Sequence, residues 1–348
     1  MLPSSAFPHA PSLTLRFAAP CSSSPATVNS PMATSARIAI VGDVHDDWCL
    51  EEDTKALRFL QPDLVLFTGD FGNENVELVQ SIADLHFPKA VILGNHDAWN
   101  TQQFSEGLRR MDGVQLQLEC LGEEHVGYKH LDFPSLKLSV VGGRPFSFGG
   151  DQLFRKRLLS ARYRVKDMDG SARRIYDAAM GTPEGHFIIL LAHNGPTGLG
   201  SNLNDICGKD WVFGGGDHGD PDLAQAIAQL KETTKCDIPL VVFGHMHKEL
   251  AYGNGVRKMI VVGTDRSIYL NGAIVPRVKR LIASQGSACR SFMSDETPEF
   301  EGTIRAFTIV EVLGGRVDRI SETWVSVIGD ETALQGEHIL FTHGNQLS

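Results

Sequence analysis

Residues 37–45 read Arg37-Ile38-Ala39-Ile40-Val41-Gly42-Asp43-Val44-His45. Consecutive apolar residues over so short a run describe a strand buried on both faces, and here the run breaks through a glycine into a carboxylate and an imidazole. The same break recurs downstream: Leu64-Val65-Leu66-Phe67 into Thr68-Gly69-Asp70, Ala90-Val91-Ile92-Leu93 into Gly94-Asn95-His96-Asp97, Phe187-Ile188-Ile189-Leu190-Leu191 into Ala192-His193-Asn194, and Leu240-Val241-Val242-Phe243 into Gly244-His245-Met246-His247. Because all five breaks run in the same sense, they read as one site assembled from five strand ends, where open α/β sheets collect their ligands.

Working outward, the first three runs are separated by stretches with helical apolar spacing: Leu50–Leu60 (Leu50, Ala56, Leu57, Leu60) and Val76–Leu85. Two consecutive βαβ units follow, with parallel strands and right-handed crossovers. Leu136–Val141 reads as a strand leading into Gly142-Gly143-Arg144-Pro145, and Asp151–Met180 as one or two basic helices broken around Asp169-Gly170. Residues 195–220 are a long Gly- and Asp-rich loop of the kind that is usually functional. Pro221–Lys231 is helical again, and Met259–Val262, Ile304–Val312 and Arg316–Val327 are strands expected to form a second sheet. This gives one domain over residues 35–328 and a C-terminal tail over 329–348.

Composition narrows the partners. A formal charge of −10 over 348 residues argues against a general nucleic-acid surface, yet leaves room for a small phosphorylated substrate, because bound cations invert the local field. No stretch approaches the roughly 18–20 apolar residues of a membrane span. Cys21, Cys49, Cys120, Cys207, Cys236 and Cys289 form no C-x-x-C pair and read as free thiols. Residues 1–34 contain no Asp or Glu, a single Arg (Arg16) and many Ser, Pro and Ala. That composition is expected of a chloroplast transit peptide, with a stromal mature protein; mitochondrial and cytoplasmic locations are the alternatives. Oligomeric state is not encoded in any of these features.

The polar clusters themselves describe a metal site. In an extended Asp43-Val44-His45 both functional side chains face the same way and reach one ion, and the same holds for His245 and His247. Asp70 and Asn95 arrive after glycines that let the backbone turn, and His193 completes a set of imidazoles and hard oxygens with no thiolate. Such a set suits Mn, Fe or Zn. Seven ligands are too many for one tetrahedral ion and suffice for two if a carboxylate bridges. His186 is a useful control: the seven residues from His186 to His193 span roughly 20 Å of strand, so it cannot share the site. His9, His86, His125, His130, His338 and His343 also lack motif context.

Taken in order, these blocks resemble those of the calcineurin-like metallophosphoesterase superfamily, in a plant- or cyanobacterial-type form: D-x-H at Asp43/His45, G-D at Gly69-Asp70, G-N-H-D at Gly94–Asp97, the lone His193, and G-H-x-H at Gly244–His247. The resemblance spans roughly residues 37–270. It implies an α/β fold, a four-layer α/β/β/α sandwich of two mixed sheets flanked by helices. It assigns Asp43, His45 and His247 to a first metal ion, Asn95, His193 and His245 to a second, and Asp70 to the bridge, with Asn95 also near the substrate phosphate. It further implies a bridging hydroxide that attacks phosphorus, with His96 assisting the leaving oxygen and Asp97 orienting His96.

Around this set, Arg144 could clamp a phosphate, His218 with Asp217 and Asp220 could line the pocket, and the basic stretch Arg155–Arg174 could attract an anion. Protein serine/threonine phosphatases usually carry G-N-H-E and an arginine soon after the second block. Asp97 and the sequence Gly69-Asp70-Phe71-Gly72-Asn73 depart from that pattern. The resemblance therefore favours a small, nucleotide-like phosphomonoester or phosphodiester. Phosphoprotein hydrolysis and a non-catalytic scaffold that keeps its metal site are the alternatives.

Overall fold

The computed structural model describes residues 34–101, 112–234, 236–282 and 300–344. In chain order the elements are β1 (Ser35–Val41), α1 (Leu50–Leu60), β2 (Leu64–Phe67), α2 (Val76–Ala83), β3 (Lys89–Val91), α3 (Gly113–Leu121), β4 (His130–Phe133), β5 (Leu138–Gly142), α4 (Lys156–Tyr163), α5 (Met168–Met180), β6 (Phe187–Leu191), α6 (Pro221–Thr233), β7 (Leu240–Phe243), β8 (Ile260–Val262), β9 (Ile268–Asn271), β10 (Val278–Ile282), β11 (Phe300–Leu313), β12 (Arg316–Ile328) and β13 (Glu331–Thr342).

The strands form two mixed sheets. The first runs β13-β12-β11-β1-β2-β3, with β10 also on β11; β1, β2 and β3 are parallel, and β11 joins β1 antiparallel. The second runs β4-β5-β6-β7-β9-β8, with a parallel centre and antiparallel edges. Side-chain alternation divides each central strand between two layers. Ile38, Ile40, Leu64 and Leu66 meet Ile189, Leu191, Leu240 and Val242 in a core between the sheets. Ala39, Val41, Val65 and Phe67 face outward with Leu57, Val79 and Ile82 of the helices, as do Ile188, Leu190, Val241 and Phe243 with Ile175 and Ala226. This is the expected sandwich of two sheets between helical layers.

Three expectations change. β11 and β12 do not build the second sheet; they extend the first, because the outer edge of β1 accepts β11 along its length. Residues 331–342, expected to lie in a tail, are β13, paired with β12. The basic region breaks at residues 164–167, where Arg164 turns left-handed and Asp167 caps the next helix by accepting from Gly170 N at 2.8 Å; Asp169 and Gly170 therefore lie in the first turn of α5. Cys49, Cys120, Cys207 and Cys236 are free thiols. No helix among the described residues is long and apolar enough to cross a membrane. The transit peptide expected over residues 1–34 falls almost wholly outside the described residues.

Candidate metal centre

All seven expected ligands converge at the carboxyl ends of β1, β2, β3, β6 and β7, but not through extended backbone. Asp43, His45, Asp70 and His245 all have positive φ, at 37°, 43°, 52° and 65°. Left-handed turns just past the strands aim the side chains, where strand alternation had been expected. Consequently His245 and His247 serve different clusters: Asp43, His45 and His247 form one, and Asp70, His193 and His245 another. A third group, His45, Asp70 and His96, overlaps both.

Distances give the donor atoms. His45 Nε2 and His247 Nε2 lie 3.0 Å apart, and His247 Nε2 is 3.5 Å from Asp43 Oδ2. His193 donates from Nδ1 to the Thr68 carbonyl at 2.7 Å, which turns Nε2 toward Asn95 Oδ1 at 3.1 Å and Asp70 Oδ1 at 3.4 Å. Asp43 Oδ1 accepts from His245 N at 3.0 Å, whereas its buried Oδ2 has no hydrogen-bond partner.

A buried carboxylate oxygen is normally hydrogen-bonded. One left bare beside two mutually facing imidazole nitrogens fits a cation, and the absence of thiolate fits Mn, Fe or Zn. Charge in the site agrees. Burial, reinforced by the like charge of Asp70, pushes Asp43 up to about 6 against the pull of His193. Burial disfavours a charge on His193, but Asp70 and Asp43 outweigh it and lift that imidazole to about 10. The two carboxylates thus favour positive charge at this position. Burial lowers His45, His245 and His247, favouring the neutral form that offers a lone pair.

The motif glycines are explained by this crowding. Gly69 takes φ 100° and does make a sharp turn. Gly94 is small for a different reason: a Cβ there would collide with Asp70 Oδ1 and the His193 ring, just as one on Gly244 would strike Asp43 Oδ1.

The sequence model of the calcineurin-like phosphoesterases matches residues 36–249. The chain belongs to that family. It is a metallophosphoesterase, a hydrolase of phosphoesters. No curated protein matches it. Solved structures similar to this phosphoesterase include a dimetal phosphatase from Danio rerio (9% identity, TM-score 0.44, 88% of this chain and 99% of that one). Two others are PhoD (11%, 0.45, 91% and 73%) and a predicted phosphoesterase from Streptococcus pneumoniae (10%, 0.30, 88% and 98%).

Other residues of the phosphoesterase depart from expectation. Asp97 does not touch the His96 imidazole. Its buried carboxylate accepts from the backbone N–H groups of Asp70, Phe71 and Gly94 at 2.9, 2.9 and 2.7 Å, pinning the second and third motif blocks together. His96 is held instead by Asn73, whose Oδ1 lies 2.7 Å from Nδ1, and by Trp99, stacked on it at 4.8 Å. Neither residue was singled out in the sequence, although Asn73 closes the second block. Arg144 is no phosphate clamp: it is buried, bound to Asp220 at 2.8 Å and Asp222 at 2.9 Å. Asp220 belongs to that pair, not to the pocket. His218 does lie beside the centre, stacked on His245 with ring centroids 5.7 Å apart. Asp217 instead accepts from Thr197 Oγ1 and Gly198 N. His186 bonds Ser139 at 2.9 Å, at the far end of β6 from His193.

Proposed function

We propose that this phosphoesterase works with a two-ion centre on a small, nucleotide-like phosphoester. The observation that carries the proposal is the position of Asp70, within ligand distance of His45 and His96 on one side and of His193 and His245 on the other. One carboxylate can thus serve two ions, with Asp43, His45 and His247 around the first and Asn95, His193 and His245 around the second. When bound, such ions supply the positive charge that lowers the pKa of water toward neutrality and neutralises phosphate oxygens.

The chain's own groups do the positioning. The Thr68 carbonyl fixes the His193 tautomer, leaving Nε2 as the ligand atom. Asn95 keeps Oδ1 toward His193, and its Nδ2, with no acceptor among the described residues, can donate to a phosphate oxygen. Asn73 Oδ1 accepts from His96 Nδ1, so in the protonated imidazole the remaining N–H, at Nε2, is the one that gives a hydrogen bond to the leaving ester oxygen.

The test is metal content of the purified chain, together with turnover of p-nitrophenyl phosphate and bis(p-nitrophenyl) phosphate under Mn²⁺. Two ions per chain with hydrolysis of at least one ester is the expected result. Two ions with no hydrolysis of any phosphoester would leave a metal-binding scaffold, and the proposal would fall.

A further inference from the structure

A wall of rings runs along the rim of the metal centre. It starts at Trp99, stacked on His96 with the planes only 12° apart. The backbone carbonyls of Ala98 and Trp99 accept from Arg155, whose guanidinium lies 4.4 Å over the Phe154 ring. Phe154 stacks on Phe148 at 5.6 Å. Phe148 and Trp211 then stand nearly perpendicular to His218, at 5.8 Å and 82° and at 4.9 Å and 85°. His218 in turn stacks on His245. The wall therefore reaches both ion clusters, the second directly through His245 and the first through His96, whose ring lies edge-on to His45 with centroids 5.1 Å apart.

These are not core aromatics. Trp99, Phe148 and Trp211 are 48%, 43% and 48% exposed, and contiguous apolar exposure beside a reactive centre marks a ligand surface. The fold also fixes the floor beneath Trp211. Gly149 and Gly150, with φ of 87° and 72°, pass so close to the His218 imidazole that a Cβ on Gly149 would collide with it. Gly150 N donates to the His218 carbonyl at 2.9 Å. Arg155 bonds only carbonyl oxygens, so among the described residues no carboxylate offsets its charge. A positive charge set into an aromatic wall suits an anion that carries a ring.

We propose that the wall selects a phosphodiester with a planar aromatic arm, a nucleoside or aryl ester. The ring of the retained arm lies against Phe148 and Trp211 over His218, and the other ester oxygen departs on the His96 side. In the reaction, water's oxygen bonds to phosphorus, the bond from phosphorus to the leaving oxygen breaks, and one water proton ends on the released alcohol. The retained arm stays on the product monoester. A monoester presents one arm, whereas a wall reaching both clusters has a place for two. The inference rests on the two-ion hydrolase reading.

Two diesters sharing one leaving group separate recognition of the arm from that reading: thymidine 5′-(p-nitrophenyl) phosphate and methyl p-nitrophenyl phosphate, assayed with the Mn²⁺-loaded full chain. The ratio of their kcat/KM values should favour the thymidine ester by about tenfold or more, the scale of one base stacked on one aromatic ring. That ratio should fall toward one in Trp211→Ala and return in Trp211→Phe. Calorimetric binding of thymidine 5′-monophosphate, the product, should weaken about tenfold in Trp211→Ala. A wild-type ratio near one overturns the inference, as does a Trp211→Ala variant slowed equally on both esters. If neither diester is hydrolysed while p-nitrophenyl phosphate is, the inference falls and the two-ion reading stands; if p-nitrophenyl phosphate also survives, that reading fails, and the calorimetry still decides whether the wall binds the ring: equal affinity in wild type and Trp211→Ala would sink it.

Discussion

The metal centre and the Arg144 cluster are two buried knots of charge, each built on a pair of aspartates, and they differ in what their oxygens do. In the Arg144 cluster Asp220 Oδ1 accepts from Arg144 and from Ser147 Oγ, both at 2.8 Å, while Asp222 accepts from Arg144 Nε at 2.9 Å and from Ser171. Tyr128 extends the chain to Ser171 at 2.6 Å. The atoms left over there are a donor, Arg144 Nη1, and an acceptor, Asn194 Oδ1. In the metal centre the bare atom is a carboxylate oxygen, Asp43 Oδ2, beside two imidazole nitrogens. Burial of charge is common to both. What distinguishes a reactive site is a set of lone pairs that all point at one place with no proton donor to take them.

The comparison breaks most sharply at Asp70. Asp70→Asn keeps the shape and removes the charge shared by the clusters, and it should lower kcat by about 10³-fold or more with loss of bound metal, while the thermal midpoint of the metal-free chain stays close to wild type. Full metal content with full activity would mean that Asp70 links nothing. The converse test is Arg144→Met. Removing one partner of a buried ion pair leaves uncompensated charge and costs about 3–5 kcal/mol, read in urea unfolding, with KM for p-nitrophenyl phosphate unchanged in the protein that remains folded. If stability held and KM rose instead, Arg144 would be a phosphate contact after all.

Legibility in the sequence follows the same division. The seven expected ligands stood out because they gather at the ends of five uninterrupted apolar runs, and such a run has one physical reading, a strand with both faces covered. The resemblance misled at Asp97. The short turn at His96–Ala98 swings its carboxylate toward the backbone of Asp70 and Phe71, and the imidazole finds Asn73 instead. Arg144 could not be placed, since its partners lie far along the chain at Asp220 and Asp222. β13 escaped notice because its residues are mostly exposed or half-buried, so no apolar period marks it. The aromatic rim was missed because a Trp or Phe in a loop looks, in sequence, like any core residue.

A smaller effect tests the reassignment at His96. His96→Ala should lower kcat about 10²-fold while keeping both metals, and Asn73→Ala should give part of that loss, with Asp97→Asn acting on stability more than on kcat. Asn73→Ala with unchanged kcat would show that the hydrogen bond to Nδ1 does not position the ring. Loss of both metals in His96→Ala would make that residue a ligand and remove it from its role at the leaving oxygen.

The finest test sets two fully buried imidazoles against each other. His193, among aspartates, is lifted to about 10; His125 is pressed down to about 3 by burial and by the neighbouring Lys129 and Arg162. The fold holds His125 neutral, so its contribution to stability is present above its ordinary value of 6.5 and is lost as pH falls from there toward 3. Between pH 7.5 and pH 5 that loss is about 2 kcal/mol. His125→Phe removes the titrating group at a site where Nε2 has no partner to lose. Urea unfolding of wild type and His125→Phe at the two pH values isolates the term, because protons taken up at the metal ligands are common to both proteins and cancel in the difference. The variant should decline less on acidification by about that amount. Parallel declines would mean that His125 takes a proton without penalty, and that the surrounding charges do not separate it from His193.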